Sequence, residues 1–160
     1  SFALSFANTP GDVDIFRSYI GADSTLITKI ESIQGIRNLD EITERADAVL
    51  IDRGDLSREV PIEQIPFLQR RIVSSVKARQ KPVYVATNLL ESMIEWHQPT
   101  RAEVNDVVST LEMGATGLVL AAETAIGGHP VAAVKTIRQL IDHFDRWTPN
   151  TSFEELLTDG

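Results

Sequence analysis

Apolar residues in this chain come in short runs separated by stretches of helical period. Phe2–Phe6, Leu26–Ile30, Ala48–Ile51, Val83–Ala86 and Gly117–Leu120 are each followed by a polar turn and then by apolar residues three and four apart. Strand, turn and helix repeated five times predict a parallel sheet with crossover helices. The runs begin roughly 22 to 35 residues apart, the size of a βα unit in a barrel or a doubly wound sheet.

The turns carry helix-start chemistry. "NTPGD" offers Thr9 as a cap, Pro10 at the first helical position and Asp12 at the third, where its charge suits a helix N-terminus. "PTRAE" places Glu103 three residues after Thr100, the spacing of a capping box. "GGHP" delivers Pro130 into a helix whose Val131, Val134, Ile137, Leu140 and Ile141 are expected to form one apolar stripe. The tail "DRWTPNTSFEELLTDG" is polar and contains Pro149, so the chain divides into a βα domain over 1–145 and a tail over 146–160.

Composition narrows the classes. A length of 160 residues suits one domain with a real core, and a net charge of −8 argues against nucleic-acid and anionic-membrane surfaces. No stretch approaches the roughly 18 apolar residues of a membrane span, and "SFALSFA" lacks the positive leader of a signal peptide. The absence of cysteine excludes disulfides, thiolate metal sites and a cysteine nucleophile, and is compatible with the cytoplasm. Neither GxGxxG after the first strand nor GxxxxGK[ST] occurs, so the dinucleotide and P-loop fingerprints are missing.

Polar residues gather where the runs finish. These are Lys29 and Glu31 after the second, Asp52, Arg53 and Asp55 after the third, Thr87 and Asn88 after the fourth, and Glu123 and Thr124 after the fifth. The C-terminal ends of parallel strands form the ligand face of α/β proteins. Alternation puts Ile27, Lys29 and Glu31 on one face, so two charges sit at the end of an apolar strand. Glu31 and Asp55, on neighbouring strands, suit a hard cation such as Mg²⁺ or Mn²⁺, with Lys29 beside it to bind an anion. A plain Lys–Glu or Arg–Asp ion pair at the rim accounts for the same residues. Gly54 in "RGDL" permits close approach of the backbone, and a helical turn starting there would present N–H groups to a carboxylate or phosphate. Thr87 offers a hydroxyl to the same place, or bonds its local backbone. His97, His129 and His143 show no ligand spacing.

"TKIESIQGIRNLDEI", "RGDL", "VATNLLESM", "QPTRAEVNDVV" and "AAETAIGGHPVAAV" occur in this order and together resemble the catalytic barrel of pyruvate kinase. The resemblance covers residues 1 to 143, with "SFALSFANTPGDV" similar to that barrel's fourth strand and helix. It implies a partial (β/α)8 TIM barrel of the phosphoenolpyruvate/pyruvate type, five parallel βα units corresponding to strands four to eight.

By the same resemblance, Lys29 is the lysine facing the transferring phosphoryl group, and Glu31 and Asp55 hold the divalent metal. Arg53, Gly54 and Asp55 form the turn whose amides hold the substrate carboxylate, Thr87 stands beside the enolpyruvate carbon, and Glu123 is the acidic residue of the eighth-strand loop. The implied reaction is phosphoryl transfer from phosphoenolpyruvate to ADP, giving pyruvate and ATP through a metal-stabilised enolate. The ligands of the family's K⁺ fall outside this chain, as do three strands, the lid and the C-terminal domain. The missing barrel part is expected in cis, in trans or from another copy, since open sheet edges are exposed otherwise. Asp52 replaces a small residue before "RGDL", Ser57 and Arg58 replace glycine and an aliphatic residue after it, and Ala121 and Ile126 replace serine and lysine. Arg58 is expected to offset the charge of Asp52. Two alternatives stay open: a metal-dependent lyase or aldolase acting on a pyruvate enolate, and a non-catalytic domain that binds phosphoenolpyruvate or pyruvate.

Overall fold

The β-branched and aliphatic runs form strands buried between neighbours, as parallel sheets require. In the computed structural model, which describes residues 1–158, they build one all-parallel sheet in sequential order. The strands are β1 (Phe2–Leu4), β2 (Leu26–Ile30), β3 (Ala48–Asp52), β4 (Val83–Ala86) and β5 (Gly117–Val119). Between and after them come α1 (Pro10–Ile20), α2 (Ile33–Arg37), α3 (Leu39–Arg45), α4 (Arg53–Leu56), α5 (Ile65–Ala78), α6 (Arg101–Glu112), α7 (Ala122–Ala125), α8 (Pro130–Arg146) and α9 (Phe153–Thr158). Short 3₁₀ turns lie at Ile62–Gln64 and Glu91–Ile94.

The central strand β3 is buried along its whole length, and β2 alternates buried and half-buried residues. Val49, Ile51, Val83, Val85, Leu26 and Ile30 pack against α1, α3 and α5 through Val13, Ile42, Ile72, Val73 and Val76. A second core, built on Leu89, Leu90, Met93, Val107, Ala133 and Ile137, joins the loop after β4 to α6 and α8. The register pairs Lys29 with Leu50 and Asp52 with Ala86. Asp52, two residues beyond Leu50, therefore falls on the face that carries Lys29.

The caps form as the turns require. Thr9 and Asp12 make a reciprocal capping box on α1, with Pro10 in its first turn, and Thr100 and Glu103 make another on α6.

Three expectations need correction. β1 ends at Leu4 rather than Phe6, because Phe6 adopts a left-handed φ of 50° that leaves the strand path. β5 ends at Val119 rather than Leu120. On α8, Val131 and Val134 are 67% and 53% exposed, while Ala133, Ile137, Leu140 and Ile141 face the core. The buried stripe is turned round the helix because the small Ala133 permits close approach, which hydrophobicity alone does not signal. The tail after α8 holds the short α9, with Phe153 and Leu157 exposed; Asp159 and Gly160 lie outside the described residues.

Candidate functional site

Three loops build the cluster at the C-terminal ends of β2, β3 and β4. Glu31 immediately follows β2 and is 1% exposed. Its Oε1 lies 2.5 Å from Lys29 Nζ, and its Oε2 accepts the Phe6 amide N–H at 2.5 Å. The strained Phe6 turn thus aims a backbone donor at a buried carboxylate, the pairing such a group requires.

Lys29 also reaches Asp52 Oδ2 at 3.2 Å. Burial lowers the pKa of Lys29, but its hydrogen bonds to Glu31 and Asp52, together with their charges, outweigh that and hold it above the ordinary lysine value. Lys29 is therefore an ammonium at neutral pH.

The end of β3 runs directly into the single turn of α4. Asp52 caps it, its Oδ1 accepting the Asp55 N–H at a long 3.5 Å. Asp55 pairs with the exposed Arg58 at 3.2 Å. Arg58 thus meets Asp55, whereas the expectation tied it to Asp52, because one turn of helix places residues three apart side by side. Glu31, Asp52 and Asp55 each offer an oxygen, and these three lie within 4.8 Å of one another.

The loop after β4 supplies Thr87. Both Thr87 and Asn88 adopt left-handed φ values, 67° and 53°. Such a conformation costs a β-branched residue on the order of 1–3 kcal/mol and persists only where surroundings hold it. Arg53 does the holding. Its buried guanidinium donates to the Thr87 carbonyl at 3.1 and 2.8 Å and to the Asn88 carbonyl at 2.9 Å, and pairs with Asp106 of α6 at 2.6 Å. The turn points Thr87 Oγ1 at α4, where it accepts the Gly54 N–H at 2.7 Å and stands 3.2 Å from Asp52 Oδ1. Its hydroxyl donates to the Ala86 carbonyl at 2.6 Å, the local backbone bond that the sequence also allows. A Cβ on Gly54 would come within 3.3 Å of that hydroxyl, so glycine gives the loops room to meet.

The geometry can be set beside known proteins. The family described as "Pyruvate kinase, barrel domain" matches residues 1–134. The chain belongs to the pyruvate kinase family. The pyruvate kinase of Thermotoga maritima is 44% identical over 142 residues, 87% of this chain and 30% of its own length. That of Mycobacterium tuberculosis is 42% identical over 142 residues, with the same coverage of both chains. A pyruvate kinase crystal structure from Cryptosporidium parvum superimposes with a TM-score of 0.88 at 34% identity, covering 92% of this chain and 32% of that one. The chain thus spans about a third of the relatives it matches, and its sheet is part of the pyruvate kinase barrel.

Against the pyruvate kinase expectation, the residues divide into two groups. Lys29, Glu31, Gly54, Asp55 and Thr87 come together with Asp52 at one mouth. Glu123 and the side chain of Arg53 serve elsewhere. Glu123, 1% exposed, accepts the Leu90 N–H at 3.0 Å and the Ala121 N–H at 2.8 Å, tying the loops after β4 and β5 together. Arg53 contributes its place in the turn, while its guanidinium is spent on the Thr87 loop and Asp106. Sequence reasoning put Asp52 at the ligand face and counted it as an added charge, but did not name it among the residues of the cation or substrate site. The alternation of β3 was the available signal, since it sets Asp52 on the face of Lys29. His97 and His129, on separate loops, meet edge to face with ring centroids 5.3 Å apart.

Proposed function

We propose that this chain is the C-terminal part of the barrel of an enzyme that transfers a phosphoryl group between phosphoenolpyruvate and ADP, giving pyruvate and ATP. One observation carries the reading: Lys29, three carboxylates and the Thr87 hydroxyl meet at the mouth of a sheet belonging to the pyruvate kinase family.

The donor set fits a hard divalent cation such as Mg²⁺ or Mn²⁺. Octahedral ligand oxygens stand roughly 3 to 4 Å apart, so a small contraction of the Glu31 and Asp55 oxygens, which lie within 4.8 Å of one another, suffices. Glu31 and Asp55 are the proposed ligands. When bound, the cation supplies electrostatic stabilisation of the negative charge that develops on an enolate and a phosphoryl group.

The chain's own residues then have distinct tasks. The ammonium of Lys29 offsets charge on the phosphoryl group in flight and on the enolate oxygen. The Gly54 and Asp55 amides receive the substrate carboxylate, and the Thr87 hydroxyl orients the enolpyruvate carbon for protonation. Arg53 acts through Thr87 by pinning its carbonyl. The cytoplasm as compartment, the division at residue 145, and a remainder of the barrel supplied in cis, in trans or by another copy belong to the same proposal. No helix among the described residues is long and apolar enough to cross a membrane.

A second reading, a domain that binds phosphoenolpyruvate or pyruvate without turnover, is favoured by Asp52, a negative group among the donors for an anionic substrate. A coupled assay on the full natural protein separates the two. ADP phosphorylation by phosphoenolpyruvate that falls at least about 100-fold in Lys29→Met is the expected result. Binding of phosphoenolpyruvate with no turnover in the unaltered protein would select the second reading.

A further inference from the structure

Two donors reach the Asp52 carboxylate, and a hydroxyl stands beside it. Lys29 Nζ lies 3.2 Å from Oδ2 and the Asp55 N–H 3.5 Å from Oδ1, while Thr87 Oγ1, 3.2 Å from Oδ1, has the Ala86 carbonyl as the nearer acceptor of its one proton, at 2.6 Å. The Asp52 side chain is only 11% exposed, so it lies within the mouth and not on its rim. Its position follows from the fold, because the β2–β3 register puts it on the Lys29 face and its cap on α4 aims it at the amide behind Gly54.

These are the groups to which the proposed function assigns an anionic substrate, and the inference rests on that reading. We infer that Asp52 is an internal competitor for the anionic substrate, occupying the Lys29 ammonium and the Asp55 N–H in the free protein and lowering the affinity for anionic ligands. Two anionic groups cannot share an ammonium and one N–H without close like-charge contact, so an incoming substrate anion has to displace this side chain. Charge bookkeeping points the same way. Glu31, Asp52 and Asp55 face Lys29 and the exposed Arg58, which leaves the mouth one negative charge in excess; without Asp52 it balances. Asp52 is thus a residue that sets specificity and affinity, with no bond to make or break.

The test is calorimetric titration of oxalate into the full natural protein at saturating Mg²⁺. Oxalate is a planar dianion that presents the carboxylate and adjacent oxygen of a pyruvate enolate. Asp52→Ala frees both donors and removes the charge, and is expected to tighten oxalate binding by about tenfold or more. Asp52→Asn keeps an acceptor to cap α4 and removes only the charge, so it is expected to tighten binding by a smaller factor even where the alanine variant folds poorly. Unchanged or weaker oxalate binding in folded variants, with the unaltered protein binding it, overturns the inference and leaves the proposed function standing. No oxalate binding by any of the three, together with no phosphoryl transfer from phosphoenolpyruvate to ADP, overturns both.

Discussion

Glu123 and Glu31 show how one residue type at two strand ends does different work. Both are almost fully buried, and each takes up two donors. Glu31 meets an ammonium and one N–H, so its charge is answered by a side-chain cation at the proposed site. Glu123 meets two backbone N–H groups from separate loops, an arrangement that fixes shape. Glu123→Ala leaves the buried Leu90 amide and the half-buried Ala121 amide without this partner, a cost of about 2–4 kcal/mol. A fall of several degrees in the thermal midpoint of the full protein is expected, with Gln restoring part of it. An unchanged midpoint would show that water or a neighbour replaces the carboxylate. Residue chemistry was legible for Lys29 and Glu31, whose charges stand out at the end of an apolar run. It was not legible for Arg53. A guanidinium on a long stem chooses its partners in space, and Asp106 and the Thr87 carbonyl lie more than thirty positions away in sequence.

The elements were read more easily than the loops that join them. Strands announced themselves by short apolar runs, and helix starts by Thr9, Thr100 and Pro130, because capping is local chemistry. The left-handed turn at Thr87 and Asn88 is marked only at Asn88, since asparagine visits that region readily while a β-branched threonine does not, and the Arg53 bonds that hold Thr87 come from another strand end. The Thr100–Glu103 cap reaches beyond its own helix. Glu103 also accepts from the Ser92 N–H at 2.7 Å and its hydroxyl at 2.5 Å, which ties the 3₁₀ turn after β4 to α6. Burial raises the pKa of Glu103, but the hydrogen bonds from Ser92 and Thr100 outweigh this and hold it below the ordinary carboxylate value. Its folded pKa is depressed, so its contribution to stability is complete above the unfolded value and is lost as pH falls through the folded one. Thermal midpoints measured from about pH 6 down to pH 3 should therefore fall less steeply in Glu103→Gln than in the unaltered protein. Parallel curves for the two would show that Glu103 takes no part in acid unfolding.

At the scale of the whole molecule, the order of strands carries the site. β1 and β5 each pair on one side only, so the described sheet ends in two open edges, and Phe2 and Val119 are partly exposed beside them. The three strands between supply the cluster, which explains how a segment about a third as long as its pyruvate kinase relatives brings Lys29, Glu31, Asp55 and Thr87 together. Residues 24 apart in sequence, Glu31 and Asp55, meet because β2 and β3 are neighbours in register. A net charge of −8 gave no sign of this mouth, since a local cation among carboxylates vanishes in a sum over the chain. The central claim is that these carboxylates form a binding site for a divalent cation. Its most direct test is titration of Mn²⁺ into the full natural protein, followed by calorimetry. Glu31→Gln and Asp55→Asn, with unchanged circular dichroism, should each weaken Mn²⁺ binding by about tenfold or more. Mn²⁺ affinity equal to that of the unaltered protein in both variants would contradict the claim.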